Sequence, residues 1–236
     1  MHMADALLSP AVGVTFWVAS GVVLAWCARK LKTNERDDLV PLMGVLGAFV
    51  FAAQMINVAI PGTGASGHLG GGLLLAILLG PQAGFMVLAS VLTVQALFFA
   101  DGGLLALGAN LFNMGVMNCF VAYPLIYRPL IQRHAVLPSP QRMGWVTLLT
   151  SVTGLQLGAF GVVMQTQWSG ISNLPLSTFL WLMQPIHLAI GLGESLATAA
   201  LILFIRQAQP DLLVTGSVPA RSASPSRLIA GIGGLA

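Results

Sequence analysis

Met1 and His2 put three nitrogen atoms within reach of a single ion. A free α-amine, the amide nitrogen of His2 and the His2 imidazole close fused five- and six-membered chelate rings once the amide proton is displaced. Nitrogen donors in a tetragonal arrangement favour late divalent metals, Ni(II) and Cu(II) above Co(II). Removal of an initiator Met needs a small second residue. His2 is large, so Met1 is expected to stay with its amine free. No positively charged run followed by a small-residue cleavage pattern marks this start as a targeting segment. A fourth donor must come from elsewhere, and His68 in IPGTGASGHLGGG is the obvious source. Gly-rich backbone turns sharply and lets another segment approach closely.

The elements that position these residues are set by composition. Of 236 residues 56% are hydrophobic and 7% charged, with mean hydropathy +0.87, against about 25% charged in a soluble domain. This is an all-α integral membrane protein. Seven apolar segments read as membrane helices, at roughly 9–28, 40–60, 69–80, 82–100, 104–127, 143–166 and 177–206. The third is too short to cross unaided: about 12 residues rise about 18 Å, against a hydrocarbon core of about 30 Å. The Gly-rich loop before it must therefore form part of its path, buried in protein or lining a cavity.

Orientation follows from the basic residues. With the N-terminus outside and seven crossings, the inner pieces are 29–39, the turn at 80–82, 128–142 and the tail from 206. They hold Arg29, Lys30, Lys32, Arg36, Arg128, Arg133, Arg142, Arg206, Arg221 and Arg227, which are all 10 Lys and Arg residues. The positive-inside rule thus predicts an outer N-terminus. His2, Asp5, His68 and Asp101 then fall at the outer face, His187 two to three turns into the last helix, and Glu194 near the midplane. A net charge of +3 made of topological signals points to the lipid bilayer and not to nucleic acid.

Other motifs are weaker. GTGASG (62–67) matches G-x-G-x-x-G, but it follows a membrane helix instead of a strand, and no acidic residue stands near position 87. No P-loop, HExxH or GxSxG occurs, so the chain is predicted to be no enzyme and to hydrolyse no ATP itself. Cys27 and Cys119, in separate segments, read as core thiols, and the scattered methionines as flexible filler. Asp101 suits either a helix cap or a carboxylate that orients a ligating imidazole. Asn110 and Asn113 share a helix face and can hold the opening loop or serve as interhelical glue, and Asn57 is similar. His187 and Glu194, seven apart, lie on one face of the last helix. Intramembrane ionisable groups are functional candidates, and for His187 an interior hydrogen-bond role is favoured over ligation.

Four ordered blocks, MHMADALLSP, IPGTGASGHLGG, QALFFADGGLLALGANLFNM and HLAIGLGE, resemble the CbiM/NikM family. That family supplies the substrate-capturing membrane component of energy-coupling-factor importers for cobalt or nickel. The resemblance runs from Met1 to about Ala208, a single metal-binding transmembrane domain, with 209–236 as a flexible cytoplasmic tail. It implies Met1, His2 and His68 as ligands of transported Co2+ or Ni2+, with no organic cofactor. It implies a transmembrane coupling subunit of the CbiQ/NikQ type, a cytoplasmic ATPase of the CbiO/NikO type and commonly a small membrane component of the CbiN/NikN type. It also implies residence as a multi-pass protein in the inner, cytoplasmic membrane. Ala6 and Ala100 depart from residues that are often Gly in the family; neither is a ligand position. Nitrogen donors tilt the choice toward nickel, whereas many relatives serve cobalamin synthesis and take cobalt. The alternatives are a membrane-embedded metal-dependent enzyme, which needs an open coordination position with a base beside it, and a passive channel, which needs several weak sites in series.

Overall fold

The computed structural model describes residues 1–32, 39–132 and 138–214. Helices dominate: α1 (Pro10–Lys32), α2 (Leu39–Gln54), α3 (Gly72–Leu79), α4 (Pro81–Phe98), α5 (Leu107–Leu111), α6 (Pro140–Ser169), α7 (Leu176–Ala208) and the short α8 (Asp211–Val214). From Phe112 to Gln132 the chain continues α5 in the wider π-type winding, with Pro124 and Pro129 inside it. Among the described residues, five helices are long and apolar enough to cross a membrane: α1, α4, Leu107–Ile131, α6 and α7. Arg36, Arg133, Arg221 and Arg227, and the part of the predicted tail from 215 onward, lie outside the described residues.

Side chains are sorted as a bilayer demands. Trp17, Val22, Phe49, Trp145, Trp181 and Phe204 face outward, while Gln54, Gln95, Asn113, Asn118, Gln165 and Thr166 are buried. Hydrocarbon gives helices no hydrophobic reason to associate, so close packing and interhelical hydrogen bonds hold them. Glycines make the approaches possible. A Cβ on Gly84 would stand 2.9 Å from the Ala76 nitrogen, so α4 rests directly on the α3 backbone. Along α6, Gly154, Gly158 and Gly161 form a trough that receives Asn118, Asn113 and the Met1 thioether.

The sequence reading of a purely helical chain is corrected at one place. The helix expected to reach Ile60 stops at Gln54, and three short strands follow a different plan. They are β1 (His2–Met3), β2 (Asn57–Ile60) and β3 (Ala65–His68), antiparallel in the order β1-β3-β2. Asn57-Val-Ala-Ile suits a strand, and Pro61 cannot donate to a continuing helix. Gly62 and Gly64 take left-handed φ of 71° and 68°, closing the hairpin. Thr63 Oγ1 donates to the Ile60 carbonyl at 2.8 Å and accepts from the Ala65 amide at 3.1 Å. The third apolar segment is consequently shorter than 69–80. α3 has 8 residues, all buried, and rises only about 12 Å. The hairpin leads into α3, with α3 and most of β3 buried and most of β2 exposed.

Candidate metal centre

The chain start is built into the fold as a strand. His2 pairs with Ser66 and Met3 with Ala65, and the Met1 amine donates to the Ser66 carbonyl at 2.6 Å. Met1 and Met3 are 0% exposed. Asn110, on α5, clamps the strand from its other edge. Its Oδ1 accepts from the Met3 amide at 2.9 Å and its Nδ2 donates to the Met3 carbonyl at 3.1 Å. Asp5 follows, its Oδ1 accepting from the Ala106 amide at 2.8 Å just ahead of α5. Gly103 leaves the space: a Cβ there would lie 2.6 Å from the Asp5 nitrogen.

On β3 the side chains of Ser66 and His68 share one face and Gly67 the other. His68 and His2, each 2% exposed, bring their ring centroids to 4.6 Å at an interplanar angle of 59°. His68 Nδ1 lies 2.7 Å from the Leu69 carbonyl. A carbonyl only accepts, so Nδ1 carries the hydrogen and Nε2 keeps its lone pair. That Nε2 is buried without a partner. His2 Nδ1 stands 3.2 Å from Asp101 Oδ1 but out of hydrogen-bond alignment. Asp101 Oδ2 accepts from Asn57 Nδ2 at 3.3 Å, and Asn57 is paired in register with His68.

Burial makes this cluster a set of neutral bases. It pushes the Met1 amine down to about 5, against the opposing pull of the Asp101 and Glu194 carboxylates. Burial lowers His2 as well, with contact to Asp101 working the other way. His68 is held well below the usual imidazole range, first by burial and then by the neighbouring amine and His2. Asp101 is lowered by His2, although its own burial acts to raise it. Dry, unpartnered lone pairs are rare in proteins and call for an explanation such as a bound ion. Among the described residues no three His, Cys, Asp or Glu side chains gather into a metal cluster. The donor set here reaches its number only by counting main-chain nitrogen.

The structure thus brings together Met1, His2, His68, Asn57, Asp101 and Asn110. It places Asn113 elsewhere, in a reciprocal pair with Gln165 at 2.7 and 2.9 Å that ties α6 to the helix after α5. Asp101 caps no helix; the next begins at Leu107. Glu194 receives the Gly70 and Gly71 amides, and Gln54 donates to the Gly70 carbonyl at 2.7 Å while accepting from Gln95 at 3.0 Å. His68 therefore sits on a strand whose exit is fixed by α2, α4 and α7. Sequence reading missed Asp5, Gln54 and Gln95 in these roles. Their signal was present as polar residues in otherwise apolar runs.

Asn110→Ala is expected to strand the buried Met3 amide and carbonyl, costing about 2 kcal/mol. A fall in melting temperature of the metal-free chain, together with weaker metal binding, checks this. Retention of both would show that β1 docks without the clamp.

Apolar helices long enough to span, a docked chain start and a pair of buried imidazoles define a membrane protein with a candidate cation site. The comparisons agree. A solved structure described as a truncated transition metal transporter superimposes with a TM-score of 0.76 at 30% identity, covering 88% of this chain and 99% of that one. The fused nickel transport protein NikMN of Rhodobacter capsulatus is 34% identical, matched over 100% of this chain and 70% of its own length. The cobalt transport protein CbiM of Sorangium cellulosum is 31% identical over 90% and 94%. Residues 2–212 match the model of CbiM, the cobalt uptake substrate-specific transmembrane region. The chain belongs to that family, and it is a cobalt or nickel transport component of the CbiM/NikM kind.

Proposed function

We propose that residues 1–208 capture one Ni2+ or Co2+ at the outer face of the cytoplasmic membrane, for import driven by a separate ATPase. The observation that carries this is the convergence of the Met1 amine, His2 and the unpartnered Nε2 of His68. The amine, the His2 amide and His2 Nδ1 form the chelate, and His68 Nε2 completes four nitrogens. To bind, His2 Nδ1 exchanges Asp101 for the ion and its proton moves to Nε2. The charges then balance: a divalent cation, a deprotonated amide and the adjacent Asp101 carboxylate sum to about zero, which a buried site requires. The relatives' names supply the cargo class, and an all-nitrogen set binds nickel more tightly than cobalt.

Several features support seven crossings with the N-terminus outside. Arg29, Lys30 and Lys32 end α1, Arg142 opens α6 and Arg206 ends α7. Arg206 also donates to the Pro138 carbonyl, so the start of α6 and the end of α7 share one side. The passage formed by the hairpin and α3 serves as the third crossing. The fused NikMN name borne by a relative supports a small N-type partner. The coupling subunit and ATPase follow from the family resemblance, since the chain has no nucleotide-binding motif of its own. Titration of the purified chain with Ni2+ and then Co2+ tests the reading. One equivalent should bind, nickel tighter, and no binding would overturn it.

Binding should follow pH in a particular way. The ion displaces one amide proton, so affinity rises by about tenfold per pH unit from pH 6 to 8. The amine, at about 5, takes up a proton only as pH falls through that value, and below it the dependence steepens. An exposed amine near its ordinary value of 8 would already give the steeper slope below pH 8. Calorimetric affinities between pH 4.5 and 8 separate the two.

A further inference from the structure

Behind the sheet, α7 packs against β2 and β3 and carries a second histidine with an unused nitrogen. His187 is 0% exposed. Its Nδ1 lies 2.8 Å from the Met183 carbonyl, so Nδ1 bears the hydrogen and Nε2 the lone pair. Nε2 is buried with no partner. It faces Gly67, where a Cβ would stand 3.8 Å from it and 2.4 Å from Ile190 Cδ1. Because His2 pairs with Ser66, Met1 stands across from Gly67, and its amine is bonded to the Ser66 carbonyl. Gly67 carries no side chain, so His187 Nε2, beside Ile190 and Ile60, approaches the β3 backbone directly opposite the amino end of β1. The bond of Nδ1 to Met183, one turn back on the same helix, accounts for one ring nitrogen only; Nε2 makes no bond.

Further along the same face of α7 come Gly191, Glu194 and Thr198, all buried and three or four residues apart. Glu194 and Thr198 border a cavity of about 60 Å³ that Gln54 and Gly71 also line, together with apolar side chains of α2, α3 and α7. Leaving the chain start on this side of the sheet, an ion meets an imidazole nitrogen first and, two turns along the helix, a carboxylate that borders a cavity.

We propose that His187 Nε2 is a donor to the transported divalent cation, receiving it on the α7 side of the sheet as it leaves the amino-terminal nitrogens. This rests on the capture reading above. His187 belongs to the exit and not to the resting coordination set, so capture and delivery come apart on substitution.

The test uses His187→Gln, which can still donate to Met183, and His187→Cys, which restores a lone pair. For each, Ni2+ affinity is measured on the purified chain, and Ni2+ uptake in cells carrying the complete transporter. The glutamine variant should bind Ni2+ within about threefold of the parent and take it up at least about tenfold more slowly. The cysteine variant should bind equally and recover uptake to within about threefold. Parental uptake by the glutamine variant overturns the proposal. So does equal loss of uptake in both variants, or loss of Ni2+ binding in both, which makes His187 part of the scaffold. Failure of the parent chain itself to bind Ni2+ defeats the capture reading instead.

Discussion

A chain with one extra residue before Met1 is expected to lose metal binding by at least about 1,000-fold. The amine would become a peptide nitrogen, leaving the chelate without its first donor. Nor can the added residue be accommodated by sliding β1, because a one-residue slip exchanges the two faces of a strand. His2 would leave His68, and Met1 would leave the Gly158 trough on α6, where a Cβ would already come within 2.4 Å of the Met1 sulfur. Such loss exceeds the 10- to 100-fold typical of disturbing groups around a metal. Expelling Met1 and Met3 from the core costs about 3 kcal/mol or more at the hydrophobic rate, so melting temperature should fall without abolishing the helical shell. Calorimetric titration with Ni2+ and a far-ultraviolet melt read both effects. Undiminished binding would show that the amine is no ligand.

His68→Asn should separate ligation from structure. An asparagine amide can donate to the Leu69 carbonyl where Nδ1 does now, yet offers nothing in place of Nε2. Affinity for Ni2+ is expected to fall at least about 100-fold. The metal-free chain should keep its stability to within about 1 kcal/mol, because the substitution also removes a buried ring nitrogen that has no partner. A scaffold histidine would give the opposite pair of results, lower stability with affinity preserved.

The ligand candidates were legible because chemistry can be read from residue type and position. An amine, an adjacent imidazole and a glycine-flanked histidine need no fold to be recognised as donors. Five of the apolar segments were equally legible, since composition alone separates membrane from water, whereas the second and third proved shorter than predicted. The sheet was not. Its first strand is two residues long, its pairing is fixed by docking rather than propensity, and Val58 to Ile60 continues an apolar run that helical periodicity cannot distinguish from α2. Asn113 shows the same limit. Three-residue spacing predicts a face shared with Asn110, but Asn113 bonds Gln165 on α6 while Asn110 meets β1. Asp5 was read only as an outer-face residue. Its bond to the Ala106 amide spans 101 positions, a separation no local pattern encodes.

Glu194 illustrates how a buried carboxylate can be structural and still bear on function. Bonded to two successive amides at the exit of β3, it fixes where His68 stands while it lines the cavity beyond. Helix position alone suggested that this residue mattered; its partners came only with the fold.

On the capture reading, one ion sits between the first two residues and His68. Anomalous diffraction at the nickel edge from crystals of the Ni2+-loaded chain tests it most directly. One peak is expected, bonded to the Met1 amine, the His2 amide and imidazole, and His68 Nε2. A peak at Glu194 or elsewhere, with the Met1 amine still on the Ser66 carbonyl, would contradict it.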